Sequence, residues 1–252
     1  VNESAAPSAF SLQGKTVLVT GASSGIGRQI AKSVAEAGAT VVASGRDEAR
    51  LSALLAELAH PRHRMAVADL NEDAAIKALA EQAGKIDGVV HSAGISALAP
   101  VRLATRAHVQ SQLDINYTGP LLLTQQLLLR NAIGAGGAIV FVSSISAHIG
   151  VQGVAAYGAS KAALEGMARV LAMEVAKKKI RVNCLAPGLV ETPMLAAARS
   201  TTGGGLDETL AKYPLGVGLP EDVANAAIFF LSPASRWITG TTLVLDGGHT
   251  VG

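Results

Sequence analysis

The chain has very few aromatic residues and a single cysteine, and both scarcities narrow what it can be. With Cys184 alone, an internal disulfide and any multi-cysteine metal centre are excluded, and no metal is expected. A lone thiol suits a reducing compartment, so a cytoplasmic location is the expectation. Aromatics make up 3% of the sequence, too few for the stacking platforms on which single-stranded nucleic acids are held. Net charge is also small, +2 at pH 7, and the densest basic run, Lys177-Lys178-Lys179, is short. No nucleic-acid partner is expected. Long apolar runs are missing too. None reaches the roughly 18 to 20 residues of a membrane span before Arg or Asp interrupts it, so a soluble protein with no membrane partner is expected. The start, 1–13, lacks the basic end and apolar stretch of a signal peptide and reads as a flexible leader.

What is present is a chain of 252 residues, 49% of them apolar, enough for one large core in a single domain over 14–252. Short runs rich in Val and Ile fall at 16–20, 40–43, 65–68, 88–91, 138–142, 181–185 and 241–245, separated by stretches of helical period. Strands apolar on both faces with helix-length connections imply a parallel sheet covered on both sides. The expected fold is therefore α/β, a doubly wound, Rossmann-type sheet. One connection is long: 189–219 carries Pro193, Pro214 and the Gly203-Gly204-Gly205 run around a weak helical segment. Long irregular segments inside compact domains are usually functional, and this one is the candidate substrate lid. Its residues Leu195, Ala196, Ala197, Ala198, Leu206 and Leu210 are small or apolar and by themselves select no ligand.

The first strand runs directly into Gly21-Ala22-Ser23-Ser24-Gly25-Ile26-Gly27, and a helix follows from about Arg28. Glycines there let the backbone turn tightly, let a pyrophosphate approach the main chain and let the helix pack closely on the strand; the helix N-terminus adds unpaired N–H groups. A dinucleotide is the expected ligand, with Gly21, Ser23, Ser24, Gly25, Ile26 and Gly27 around its phosphates. Further on, a strand ends in Ser143-Ser144, and thirteen residues past Ser144 comes Tyr157-Gly-Ala-Ser-Lys161 on a helix. The spacing of four puts Tyr157 and Lys161 on one helical face, close enough for the ammonium to favour a tyrosinate. Ser144, at the carboxyl end of its strand, is placed to donate to a substrate oxygen. A tyrosine and lysine so spaced occur on many helices; only with the glycine turn do they gain meaning.

Taken together, the Thr-Gly-x-x-x-Gly-x-Gly turn and the Ser144, Tyr157, Lys161 set resemble the short-chain dehydrogenase/reductase family, in its 3-oxoacyl-reductase-like and carbonyl-reductase-like branch, over nearly the whole chain. The resemblance implies that Tyr157 is the general acid–base, that Lys161 lowers its pKa and holds the nicotinamide ribose, and that Ser144 polarises the carbonyl. It also implies that Asn116 anchors a water leading from Lys161 to solvent. Pro187-Gly188, Val190 and Thr192 match the family's segment at the nicotinamide, and Asp69 with Leu70 its adenine contacts. The family's Asn-Asn-Ala-Gly stands here as His91-Ser92-Ala93-Gly94, so only Ala93 and Gly94 are kept. His91 is expected to be a hydrogen-bonded packing residue. His148 follows Ser144 closely enough to line the substrate entrance. Asp246-Gly247-Gly248 resembles a subunit-contact segment, and a homotetramer is what the resemblance implies.

Cofactor choice is read at the end of the second strand, Ser44-Gly45-Arg46-Asp47. NAD-specific folds put an acid about twenty residues past the glycine turn, where it repels a 2′-phosphate. Gly45 lacks that charge, while Arg46 can bind a phosphate and Ser44 add a hydroxyl, so NADP(H) is expected over NAD(H). Arg46 paired with Asp47 or Glu48 as an ordinary loop residue is the alternative. The expected function is an NADP(H)-dependent interconversion of a small-molecule ketone and secondary alcohol. A 3-oxoacyl-(acyl-carrier-protein) reductase stands as the enzymatic alternative, and a nucleotide-binding sensor or scaffold as the non-enzymatic one.

Overall fold

In the computed structural model of the chain, which describes residues 8–58, 60–202 and 205–251, seven strands pair into one parallel sheet. The first half runs β1 (Thr16–Thr20), α1 (Gly25–Glu36), β2 (Thr40–Gly45), α2 (Glu48–Leu58), β3 (Arg64–Val67), α3 (Asp73–Ala83) and β4 (Ile86–His91). The second half runs α4 (Arg106–Leu113), α5 (Gly119–Leu129), β5 (Ile133–Val142), α6 (Ala155–Val175), β6 (Arg181–Pro187), α7 (Pro193–Thr202), α8 (Gly205–Leu210), α9 (Pro220–Leu231) and β7 (Thr242–Leu245). The strand order is β3-β2-β1-β4-β5-β6-β7. Winding reverses between β1 and β4, and a crevice opens there beyond the carboxyl ends of the strands, where open α/β sheets bind ligands.

The strands are apolar on both faces because both faces are covered. Leu18, Val42, Val89, Ile139 and Val182 point to the side packed by Leu79, Leu127 and Leu164, from α3, α5 and α6. Val17, Val19, Val41, Val90 and Val140 point to the other side, against Ile30, Leu54 and Phe230 of α1, α2 and α9. Each such side chain contributes about 1.5–3 kcal/mol when fully buried. Among the described residues no helix is long and apolar enough to cross a membrane, and no group of three or more ligating side chains could hold a metal ion.

Three departures from the sequence reading have physical causes. β5 begins at Ile133, not at residue 138, because Gly134, Gly136 and Gly137 carry no apolar signal while their backbone still runs along β4 through an irregular register. The stretch of helical period that contains Asn116 holds a π-helical turn, Asp114–Thr118, between α4 and α5. In the expected leader, Leu12 is fully buried and its N–H donates to Ala37 O at 3.0 Å, so the chain is docked before Gly14; residues 1–7 lie outside the described ones.

Candidate active site

The glycine turn is built by close approach. Gly21 has φ +67° and Gly25 +53°, and a Cβ on Gly21 would stand 2.7 Å from Ala93 N. On Gly27 it would stand 2.4 Å from Gly21 O, so α1 lies hard against the end of β1. Thr20 Oγ1 accepts from the N–H groups of Ser92 (3.2 Å) and Ala93 (3.3 Å), which ties the ends of β1 and β4 together. At the head of α1, Ser24 makes no side-chain cap and the first turn holds no acid. Its leading N–H groups are thus left for an anion, and the residues present fit a dinucleotide pyrophosphate.

Beside the turn runs a cleft whose lining includes Gly21, Ser44, Arg46, Asp69, Leu70, Ala93 and Gly94, all expected from the sequence. Thr20 of the glycine turn and Gly45, the position read for cofactor choice, line it too; Ile95 and Ile115 also line it and were not expected. A second hollow adjoins it, lined by Ser23, Ser24, Arg46, Asp47 and Arg50. Arg50 went unnoticed in the sequence, although its spacing of four from Arg46 was the available signal. Asp47 pairs with Arg50 (3.1 Å), and Arg46 lies 3.7 Å from Asp69, not against Asp47 or Glu48.

The cleft leads to the reacting groups through Gly94, where a Cβ would stand 3.1 Å from Asn116 Oδ1 and 3.3 Å from Lys161 Nζ. Asn116 is fully buried in the π-helical turn; its Oδ1 accepts from Ile95 N (2.8 Å) and its Nδ2 donates to Ile95 O and Ser160 Oγ (both 2.9 Å). Ser144 Oγ accepts from Ser146 N at 3.1 Å, and its hydroxyl neighbours the Tyr157 phenol. Burial pushes the Tyr157 phenol above its ordinary value, and the Ser144 hydroxyl works against that. Lys161 is buried and donates to Val142 O at 2.8 Å; burial pulls it down to about 8. Here the sequence reading is corrected: the ammonium lies 5.7 Å from the centre of the Tyr157 ring and turns to a carbonyl, so burial, not the lysine, dominates the tyrosine.

With this geometry in view, the comparisons are decisive for the family. A family model described as "Enoyl-(Acyl carrier protein) reductase" matches residues 21–250. A D-threitol dehydrogenase of Mycolicibacterium smegmatis is 36% identical over 250 residues, covering 96% of this chain and 95% of its own. The chain is a short-chain dehydrogenase/reductase. A 3-oxoacyl-(acyl-carrier-protein) reductase of Chlamydia pneumoniae is 38% identical over 249 residues, with 96% and 99% covered. Among solved structures, one described as an NAD(P)-dependent gluconate 5-dehydrogenase from Beutenbergia cavernae, with NADP bound at low occupancy, has a TM-score of 0.90 at 35% identity. It covers 98% of this chain and 100% of its own.

The remaining expected residues of this short-chain dehydrogenase/reductase lie where β6 leads into the long connection. Gly188 N donates to Leu245 O (2.9 Å), and Val190 bridges to Gly218. Thr192 Oγ1 accepts from Leu195 N (3.3 Å) at the start of α7, and its methyl faces Gly25, so this connection is rooted on the glycine turn. Tyr213 OH accepts from Leu189 N (3.0 Å) and its ring stacks on His249 at 4.3 Å. Gly203, Gly204 and the side chain of Leu206 lie outside the described residues. His91 is 2% exposed, stacked on Phe141 at 4.8 Å and bonded to Thr124 Oγ1 at 3.0 Å, the packing role expected of it. His148 Nε2 bonds to Glu165 at 3.0 Å, which the sequence reading did not foresee.

Proposed function

We propose that the chain is an NADP(H)-dependent oxidoreductase that interconverts a ketone and a secondary alcohol, with Tyr157 as general acid–base. The observation that carries this reading is the grouping of the Ser144 and Tyr157 hydroxyls beside Lys161, at the end of a cleft that fits a dinucleotide. When bound, the nicotinamide supplies the hydride in reduction and takes it up in oxidation. A substrate oxygen that enters between the two hydroxyls accepts from both. Ser144 then polarises the carbonyl, and Tyr157 passes its proton to the oxygen as charge develops there. Burial favours the protonated Tyr157 phenol, the form that a reduction needs. Lys161, close under Gly94, is read as the residue that holds the nicotinamide ribose and resupplies the proton, with Asn116 fixing the adjacent backbone. Filled Ser, Tyr, Lys and Asn positions speak against a sensor or scaffold.

The NADP(H) preference rests on the hollow formed by Ser23, Ser24, Arg46 and Arg50 with no acid at Gly45. Two guanidiniums can meet a 2′-phosphate there, and the neighbouring Asp47 and Asp69 are already paired with them. Asp69 and Leu70 are read as adenine contacts, and Pro187, Gly188, Val190 and Thr192 as contacts of the nicotinamide half. The connection over 189–219 is read as the substrate lid. A free small molecule is the proposed substrate. Arg130, the lone basic residue of 129–137, is held by Glu81 and Gln126 rather than presented to an acidic carrier. The relatives named as 3-oxoacyl-(acyl-carrier-protein) reductases favour the second reading, a carrier-bound 3-oxoacyl substrate. A homotetramer is proposed on the exposed apolar side chains Val170, Met173 and Trp237.

The test is a turnover screen of ketones, secondary alcohols and a carrier-bound 3-oxoacyl thioester with both cofactors, followed by the absorbance of the reduced nicotinamide. Turnover of free ketones with NADPH is expected; a large preference for the carrier form would move the reading to the alternative, and none with any would overturn it.

A further inference from the structure

Behind the reacting groups lies a second polar cluster that the proposed chemistry leaves unused. Ser143 Oγ, just past the end of β5 and next to Ser144 in the chain, donates to Glu165 Oε1 at 2.7 Å and lies 3.2 Å from Lys161 O. The same Oε1 bonds to His148 Nε2 at 3.0 Å. Glu165 follows Lys161 by one turn of α6 and is 7% exposed. A buried carboxylate is costly unless its lone pairs are filled, and here one oxygen draws its two donors from either end of the 143–148 segment. Ser144 sits inside that segment. It caps the short 3-10 turn 145–147, with Ala147 N donating to Ser144 O at 3.0 Å and His148 N to Ile145 O at 2.8 Å. Any displacement at 143 or 148 is therefore passed to Ser144. The turn also presses on the catalytic helix, since a Cβ on Gly158 would stand 2.6 Å from Ser146 O.

We propose that Glu165 and His148 are positioning residues: through Ser143 and the 145–147 turn they clamp Ser144 onto the helix that carries Tyr157 and Lys161. The inference rests on the reading that these three residues do the chemistry. It assigns the buried carboxylate to setting the gap between two hydroxyls, each carried on a different element. A change of ångström size in that gap is enough to lower a rate by about 100-fold.

Two readouts test it, on wild type, Ser143→Ala, His148→Ala, Glu165→Ala and Glu165→Gln. The first needs no substrate: titration of the Tyr157 phenol by tyrosinate absorbance, with Tyr157→Phe as the blank. Losing the clamp withdraws Ser144, so the midpoint is expected to rise in His148→Ala and Glu165→Ala and to stay near wild type in Glu165→Gln, whose amide oxygen still accepts both bonds. The second is kinetic. kcat is expected to fall about 3- to 10-fold in the Ser143 and His148 variants and about 10- to 100-fold in Glu165→Ala, with the NADPH Kd within two-fold throughout. A phenol midpoint that does not move in His148→Ala overturns the clamp, as does a Glu165→Gln protein as impaired as Glu165→Ala. Should Glu165→Ala not fold, the half-exposed His148 and the small Ser143 decide the matter. Failure of the proposed reaction shows differently, as a wild type without turnover or a Tyr157→Phe variant as fast as wild type.

Discussion

At the β1 end of the cleft the chain makes room by leaving side chains out, at Gly21, Gly27 and Gly45. At the β5 end it packs them in, around Ser144 and Tyr157: Ser143 Oγ bonds to Glu165 and to the Lys161 carbonyl, and Lys161 Nζ donates to Val142 O, which ties the end of β5 to α6. The first region is made of backbone conformation and close approach, so at Gly21 and Gly27 it tolerates no added carbon. The second is made of polar groups withdrawn from water, so its proton affinities are shifted by burial. A ligand held by main-chain N–H groups needs the one arrangement; a proton passed to a substrate oxygen needs the other.

Adding one methyl group at the first region is the sharpest way to break the comparison. Gly27→Ala puts a Cβ where Gly21 O already stands, so the strand and helix must part. Overpacking of this kind costs about 1–3 kcal/mol, and the NADPH Kd is expected to rise about 100-fold or more; fluorescence titration and thermal melts would read both. Gly166→Ala, within α6 and free of clashes, is the control and should raise stability by up to about 1 kcal/mol. Next in size is cofactor choice. Gly45→Asp with Arg46→Ala should shift kcat/KM from NADP(H) toward NAD(H) by about ten-fold to a few hundred-fold, since each lost charge-assisted bond contributes roughly 1.5–3 kcal/mol. An unchanged ratio would remove Arg46 from the phosphate site and leave Arg50 as the next residue to replace.

The smallest effect is one of acidity. His91 is buried neutral, its pKa pulled down from 6.5 to about 3 by burial. The folded form binds its proton less readily than the unfolded chain does, so its contribution is fully present above about 6.5 and is lost as pH falls toward 3. Between pH 6.5 and 5 the loss is about 2 kcal/mol. His63 is also lowered by burial and adds in the same direction. Urea unfolding at the two pH values should show this slope in wild type and a flatter one in His91→Asn.

The first region was the more legible in sequence. Its glycines stand next to one another along the chain, and the apolar runs on either side report strand and helix directly. Tyr157 and Lys161 were legible for the same reason, as a local spacing on one helix. The clamp was not, because Ser143 and Glu165 are 22 residues apart and meet only when β5 packs on α6. The π-helical turn at Asn116 leaves no compositional trace, since a shift of one backbone hydrogen bond needs no particular side chain. The expected influence of Lys161 on Tyr157 failed on burial: spacing along a helix says which residues are neighbours, but not how far water is excluded from them.

The central claim, that one region binds the dinucleotide while the other moves the proton, is tested most directly by Tyr157→Phe. Removing a single phenol oxygen leaves the packing in place and takes away only the positioned donor. We expect an NADPH Kd within two-fold of wild type and a single-turnover rate lower by about 10² to 10⁴. A wild-type rate in the Phe variant, or a loss that lies in cofactor binding instead, would contradict the account.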